Sequence, residues 1–274
     1  MTIVVSRCHR ICVVLLALLQ LLLLLGCDKG ESGPEAAEEL QLRYSEAEYP
    51  ELWAAEAQRE ILTDLDLSDA DALLVGPVST VALNAELRAI ADTGIPIITV
   101  DTYVGDGDYS TGEDDYALSF VGTDNYNGGK EGAERLAELV GKEGSVYVNT
   151  THSDVSSVSN RVEGFIAGMA EFPNMHVIAT EYNQDRQSVA YSQTLRILRE
   201  YPDVRAVFAT NLFSSQGAYQ AVLDSGLTGA VRIASWDSTE PIIEALERGF
   251  VDLVLAQSPR EIGAKAVSLA VDHL

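Results

Sequence analysis

Four short apolar runs in this chain each stop on a side chain able to grip a polar small molecule. Ile97 to Val100 ends on Asp101, Val207 to Thr210 on Asn211, Val231 to Trp236 on Asp237, and Val251 to Ala256 on Gln257. Carboxylates and amides of this kind accept and donate hydrogen bonds. Ligands of parallel α/β sheets sit outside the carboxyl ends of the strands, so four such ends point to one shared binding cleft.

The elements that carry these ends alternate. A possible amphipathic helix at 52–62 leads to a buried strand at 71–75, closed by Gly76-Pro77. A helix at 81–91, stopped by Gly94, a strand from Pro96 to Asp101, an acidic loop and a strand at 117–121 follow,. After a helix at 127–140 and Gly141, strands begin near 145, 176, 206, 231 and 251, separated by helices at 159–170, 188–199, 215–224 and 240–247, with a last helix at 260–273. Such alternation predicts right-handed βαβ units: an α/β fold of two Rossmann-like lobes with parallel sheets and a cleft between them.

The N-terminus reads differently. Residues 1–26 carry no acid, place Arg7 and Arg10 first, and then run apolar from Ile11 to Leu25 with Gln20 as the sole interruption. This is the pattern of a secretory signal peptide, short for a membrane span. It closes on Leu24-Leu25-Gly26-Cys27, which resembles the lipobox of bacterial lipoproteins, so Cys27 is the expected lipidation site and residues 27–50 a lipid-anchored tether,. Cys8 and Cys12 lie in the segment to be removed, which leaves no disulfide and no cysteine metal site,. The formal charge of −24 argues against nucleic acid and anionic headgroups as partners,. Attachment to the membrane is therefore expected through the lipid alone.

From about Asp69 onward the chain resembles the sugar-binding, type I family of periplasmic binding proteins, the ribose-binding-like solute receptors of ABC importers. The resemblance rests on seven pieces in order: residues 71–78 (Asp-Ala-Leu-Leu-Val-Gly-Pro-Val), 94–101 (Gly-Ile-Pro-Ile-Ile-Thr-Val-Asp), 120–125 (Phe-Val-Gly-Thr-Asp-Asn), 160–165 (Asn-Arg-Val-Glu-Gly-Phe), 208–211 (Phe-Ala-Thr-Asn), 234–237 (Ala-Ser-Trp-Asp) and 255–259 (Leu-Ala-Gln-Ser-Pro). It implies ligand contacts at Asp101, Arg161, Asn211, Trp236, Asp237 and Gln257. A sugar offers hydroxyls that donate and accept, plus one apolar face that an aromatic ring can cover. Arg161 would balance two aspartates otherwise costly in a closed cleft. The implied protein is an extracytoplasmic solute-binding lipoprotein that captures a monosaccharide or polyol and hands it to ABC permease subunits. A sensory module presenting its ligand to a receptor kinase or chemoreceptor is the alternative.

Two departures stand out. Thr102 occupies a position where pentose-binding members commonly carry arginine, and Gly76 one where the family carries an asparagine before the proline, so a hexose, polyol or other ligand is favoured over ribose. The family's opening strand, helix and strand find no room between Cys27 and the helix before Asp71. The first lobe is thus expected to be incomplete, with three strands over residues 51–122 and a returning helix at 259–274; the second lobe spans 123–258. The chain also stops before the family's final crossover.

Other motifs carry no chemistry. Gly128-Gly129-Lys130-Glu131 lacks the first glycine and the Ser or Thr of a phosphate loop,. Asp106-Gly107-Asp108 fails the EF-hand spacing at Thr111 and Ala117, and reads as a solvated turn,. His152 and His176 lack zinc-pair spacing, although His152 stands where it could touch a ligand,. No nucleophile elbow or Ser/His/Asp set appears, so neither an enzyme, a cofactor nor a metal is expected.

Overall fold

A computed structural model describes residues 2–4, 11–15, 55–111 and 114–274. Cys27 and the tether lie outside them. The chain divides into two compact units: residues 1–123, 154–156 and 258–274 form the first, and 124–153 with 157–257 the second.

The first unit is built on a five-stranded sheet of order β1-β2-β3-β4-β5, where β1 is Thr2–Val4, β2 Ile11–Leu15, β3 Ala72–Gly76, β4 Ile97–Val100 and β5 Ala117–Val121. All neighbours pair in parallel except β1 with β2. Strand alternation sorts the side chains between two helical layers. Ala72, Leu74, Ile98 and Val100 bury against Ile262, Ala266 and Ala270 of the C-terminal helix Pro259–His273. Leu73, Val75 and Ile97 bury on the other face with Leu62 of helix α1 (Ala55–Asp64) and Leu87 and Ile90 of α2 (Asn84–Ala91). Buried Gln58 ties α1 to the end of β3: its Nε2 donates to the Gly76 carbonyl and its Oε1 accepts from the Val78 amide, both at 2.8 Å.

The three strands expected of this unit are present, and two more extend the sheet from the segment read as a signal. Ile11–Leu15 pairs in parallel with β3, from Ile11 opposite Ala72 to Leu15 opposite Gly76. It lies along the edge that the loss of the opening strand would have left bare. A continuous apolar run such as Ile11 to Leu25 is compatible by pattern with a strand or with a membrane signal,.

The second unit carries the parallel sheet β10-β9-β8-β6-β7. Its strands are β6 (Gly144–Thr150), β7 (Met175–Tyr182), β8 (Val204–Ala209), β9 (Arg232–Trp236) and β10 (Leu253–Leu255). On one face α3 (Asn125–Leu139) and α4 (Ser156–Met169) cover Val146, Val148, Phe208 and Trp236. On the other, α5 (Gln187–Glu200), α6 (Leu212–Asp224) and α7 (Glu240–Glu247) cover Tyr147, Val207 and Ile233. The chain leaves β6 first toward β7 and then returns to its other side for β8. That reversal is the switch point at which strand ends diverge and a crevice opens.

Candidate functional site

The packing of α3 on α4 determines where Arg161 stands. A Cβ on Gly129 would lie 2.2 Å from the Arg161 carbonyl oxygen, and one on Gly164 would lie 1.9 Å from that of Tyr126. The helices therefore meet backbone to backbone, which brings Arg161 of α4 to the start of α3. Its Nε donates to Asn125 Oδ1 at 2.8 Å and its Nη1 to the Thr210 carbonyl, just beyond β8, at 2.7 Å. The guanidinium lies 4.3 Å from the Trp236 ring centroid, a stacked arrangement that Lys could not reproduce.

Trp236 itself is almost wholly buried, packed edge-on to Phe208 and against α3 where Gly128 leaves room for the ring. Its ring supports Arg161 from the core, and one face is covered by the guanidinium. Next along the chain, Asp237 adopts the left-handed region at φ 72°. Its amide donates to the Leu255 carbonyl at 3.0 Å, and its Oδ1 accepts from Gln257 Nε2 at 2.8 Å. The ends of β9 and β10 are thereby joined by a backbone and a side-chain bond.

Asn211 caps α6. Its Oδ1 accepts from the Ser214 amide at 3.0 Å, which orients its Nδ2 to donate to Asp185 Oδ1 at 2.5 Å,. A buried polar web lies beneath. Asn183 Nδ2 donates to Asn149 Oδ1 and to Ser214 Oγ, both at 2.7 Å; Thr210 bonds Thr150, and Ser235 bonds Ser215, each at 2.7 Å. Such a network holds strand ends in one geometry because each lost bond would orphan a buried polar atom. Burial pushes the Asp185 carboxyl up to about 6, with the Asn211 bond opposing and the Asp237 charge adding to the rise,.

In the first unit, Asp101 follows β4 at φ 63°, its amide donating to the Val121 carbonyl at 3.0 Å. Thr102 is buried, and its hydroxyl donates to the Pro77 carbonyl at 2.6 Å. Thr102 thus joins the ends of β3 and β4. In the acidic loop, Asp108 accepts from the Ser110 and Thr111 hydroxyls and from the Ser110 amide. These bonds lower its carboxyl to about 2. Among the described residues, no group of three or more His, Cys, Asp or Glu stands close enough to hold a metal.

The second unit brings Arg161, Asn211, Trp236, Asp237 and Gln257 to the carboxyl ends of its strands, while Asp101 belongs to the first unit. Sequence reasoning missed Asn125, which orients Arg161, and Asp185, which is held by Asn211. The strand-end rule applied to β7, which ends at Tyr182, would have stopped on Asn183, two residues short of Asp185. Moreover, β7 is an edge strand with partly exposed residues from His176 to Tyr182, so it presents no clean apolar run.

A family model described as periplasmic binding protein domain matches residues 31–274. The ribose import binding protein of Salmonella typhimurium is 28% identical over 207 residues, which cover 76% of this chain and 67% of that protein. The D-allose-binding periplasmic protein of Escherichia coli is 24% identical, covering 79% and 70%. Among solved structures, an ABC transporter solute-binding protein from Agrobacterium vitis bound with alpha-D-tagatopyranose superposes with a TM-score of 0.76 at 36% identity, covering 78% of this chain and 73% of that one. A solute-binding protein from Actinobacillus succinogenes with bound D-allose gives 0.73 at 28% identity, covering 80% and 78%.

Proposed function

Because this chain belongs to the type I family of periplasmic binding proteins, we propose that it is an extracytoplasmic receptor that captures a monosaccharide between its two units for an ABC permease. The observation that carries this reading is the set of hydrogen-bonding side chains at the strand ends of the second unit. Arg161, Asn211, Asp237 and Gln257 are each held by a neighbour before any ligand arrives. Preorganisation of this kind favours affinity because little side-chain entropy is lost on binding. Asp101, at a strand end of the first unit and in the same left-handed backbone state as Asp237, is the contact contributed from the other side. Hinge closure, the motion by which periplasmic binding proteins enclose ligands, would bring the two sets together. Trp236 contributes by stacking on Arg161. Lipidation of Cys27 would hold the receptor at the membrane.

A thermal-shift screen against D-ribose, D-allose, D-tagatose and a panel of other monosaccharides and polyols tests the reading. At least one sugar should raise the melting temperature of the wild type and of Asp106→Ala, and fail to do so for Asp237→Ala. No shift with any sugar, or equal losses in both variants, would refute it.

A further inference from the structure

Five non-glycine residues in the described chain have positive φ, and three of them are aspartates beyond strand ends: Asp101 at 63°, Asp185 at 57° and Asp237 at 72°. A left-handed backbone is unfavourable for most L-residues, and such outliers gather where function requires them. At Asp185 the strain is doubled, since Gln184 before it sits at 55°. The turn is nonetheless firmly held: the Asn183 and Gln184 amides donate to the carbonyls of Thr150 and Thr151 at 2.8 and 3.0 Å, and Arg186 donates back to Asn183 at 3.2 Å.

The bond from Asn211 accounts for only one of the two oxygens of this carboxylate. Asp185 precedes α5, yet the helix has no side-chain cap. Its Oδ1 takes the Asn211 amide, while its Oδ2 is buried without any hydrogen-bond partner, and the residue is only 6% exposed. A buried carboxylate oxygen left unpaired is costly unless something else supplies the donor. We propose that Asp185 is a further ligand contact whose Oδ2 accepts a hydroxyl of the bound sugar, so that the site takes neutral monosaccharides and rejects sugar acids and sugar phosphates. This rests on the sugar-receptor reading above. The charge balance supports the exclusion, because Asp185 lies close enough to Asp237 to feel its charge and adds a second carboxylate there.

A hydroxyl donated to Oδ2 favours the ionised form, so binding should release a proton from the carboxyl that burial has raised to about 6,. Asp237 at the end of β9 adds to that rise. Other charged or titratable groups on the elements around these strand ends include Arg161, Arg186, which bonds Gln184, Glu181 and Tyr182 at the end of β7, and His152 and Asp154 after β6.

The test is calorimetric titration of the full chain with D-tagatose, D-allose and D-ribose, followed by D-galacturonate and D-ribose 5-phosphate. For the best neutral sugar, affinity should fall about tenfold from pH 7 to pH 5, and titrations at pH 6 in two buffers of different protonation enthalpy should report proton release. Asp185→Asn should weaken binding at pH 7 about fivefold to tenfold and remove the pH dependence. If the wild type binds a neutral sugar but Asp185→Asn binds it equally well, or keeps the same pH profile, the assignment of Asp185 is wrong and the sugar reading stands. Tighter binding of the acid or phosphate would also overturn it. Absence of binding by any neutral sugar would instead overturn the sugar reading, and the assignment with it. Proton release needs no variant, so the test survives a poorly folding Asp185→Asn.

Discussion

Arg161→Met should destabilise the second unit by about 3 kcal/mol even without ligand. The substitution keeps an apolar stem against Trp236 but orphans two buried acceptors, Asn125 Oδ1 and the Thr210 carbonyl. Each lost partner costs about 1–3 kcal/mol, and the stacking on Trp236 adds about 0.5–2 kcal/mol,. Relief from burying a charge offsets part of the sum, which leaves a net near 3 kcal/mol. At about 2–4 °C per kcal/mol for a body of this size, the melting transition should drop by roughly 6–12 °C. A double-mutant cycle isolates the bond: Asn125→Ala should cost about 1 kcal/mol less in the Arg161→Met background than in the wild type. Strict additivity would refute the argument, because it would mean that the arginine does not hold Asn125 and is positioned by something else.

Gly164→Ala should unfold or severely destabilise the second unit, by more than about 3 kcal/mol, since its Cβ would meet the Tyr126 carbonyl at 1.9 Å,. Gly94→Ala, with nothing within 4 Å but φ at 90°, should cost only about 1 kcal/mol,; thermal melts of both compare steric and backbone effects. Gln58→Ala should remove about 2 kcal/mol from the first unit, read by urea unfolding, because it leaves the Gly76 carbonyl and Val78 amide without their buried partner,. Cys27→Ser should release the protein from membranes or block its processing, with loss of palmitate labelling; unchanged labelling would end the lipid-anchor proposal. Processing at Cys27 would also remove β2, so amides of β3 should then exchange faster than those of β4.

Much of this architecture was legible because buried parallel strands and amphipathic helices write different periods. The alternation from residue 71 onward placed β3 to β10 and the polar residues after them. The N-terminal strands were not legible, since a continuous apolar stretch such as Ile11 to Leu25 does not distinguish strand from helix or signal by periodicity alone,. The position of Trp236 follows from alternation: one residue before Asp237, it shares a face with Ala234 and so belongs to the core cluster,. Asp185 escaped because its strand is an edge that stops short of it, and Asn125 because its role is to hold another side chain.

The backbone contact between α3 and α4 constrains how this receptor could change its diet. At Gly129 and Gly164 the helices touch through backbone, so there is no side chain at those points to trim or enlarge, and a shift of one helix drags the other along. Arg161 is therefore a fixed fitting of the scaffold, as unadjustable as the sheet beneath it. Asp237 and Gln257, beyond the ends of β9 and β10, take no part in that helix contact and can be exchanged without moving α3 or α4. New ligand preferences in this lineage should accordingly arise by replacement at those ends, with the arginine and the glycines around it left in place.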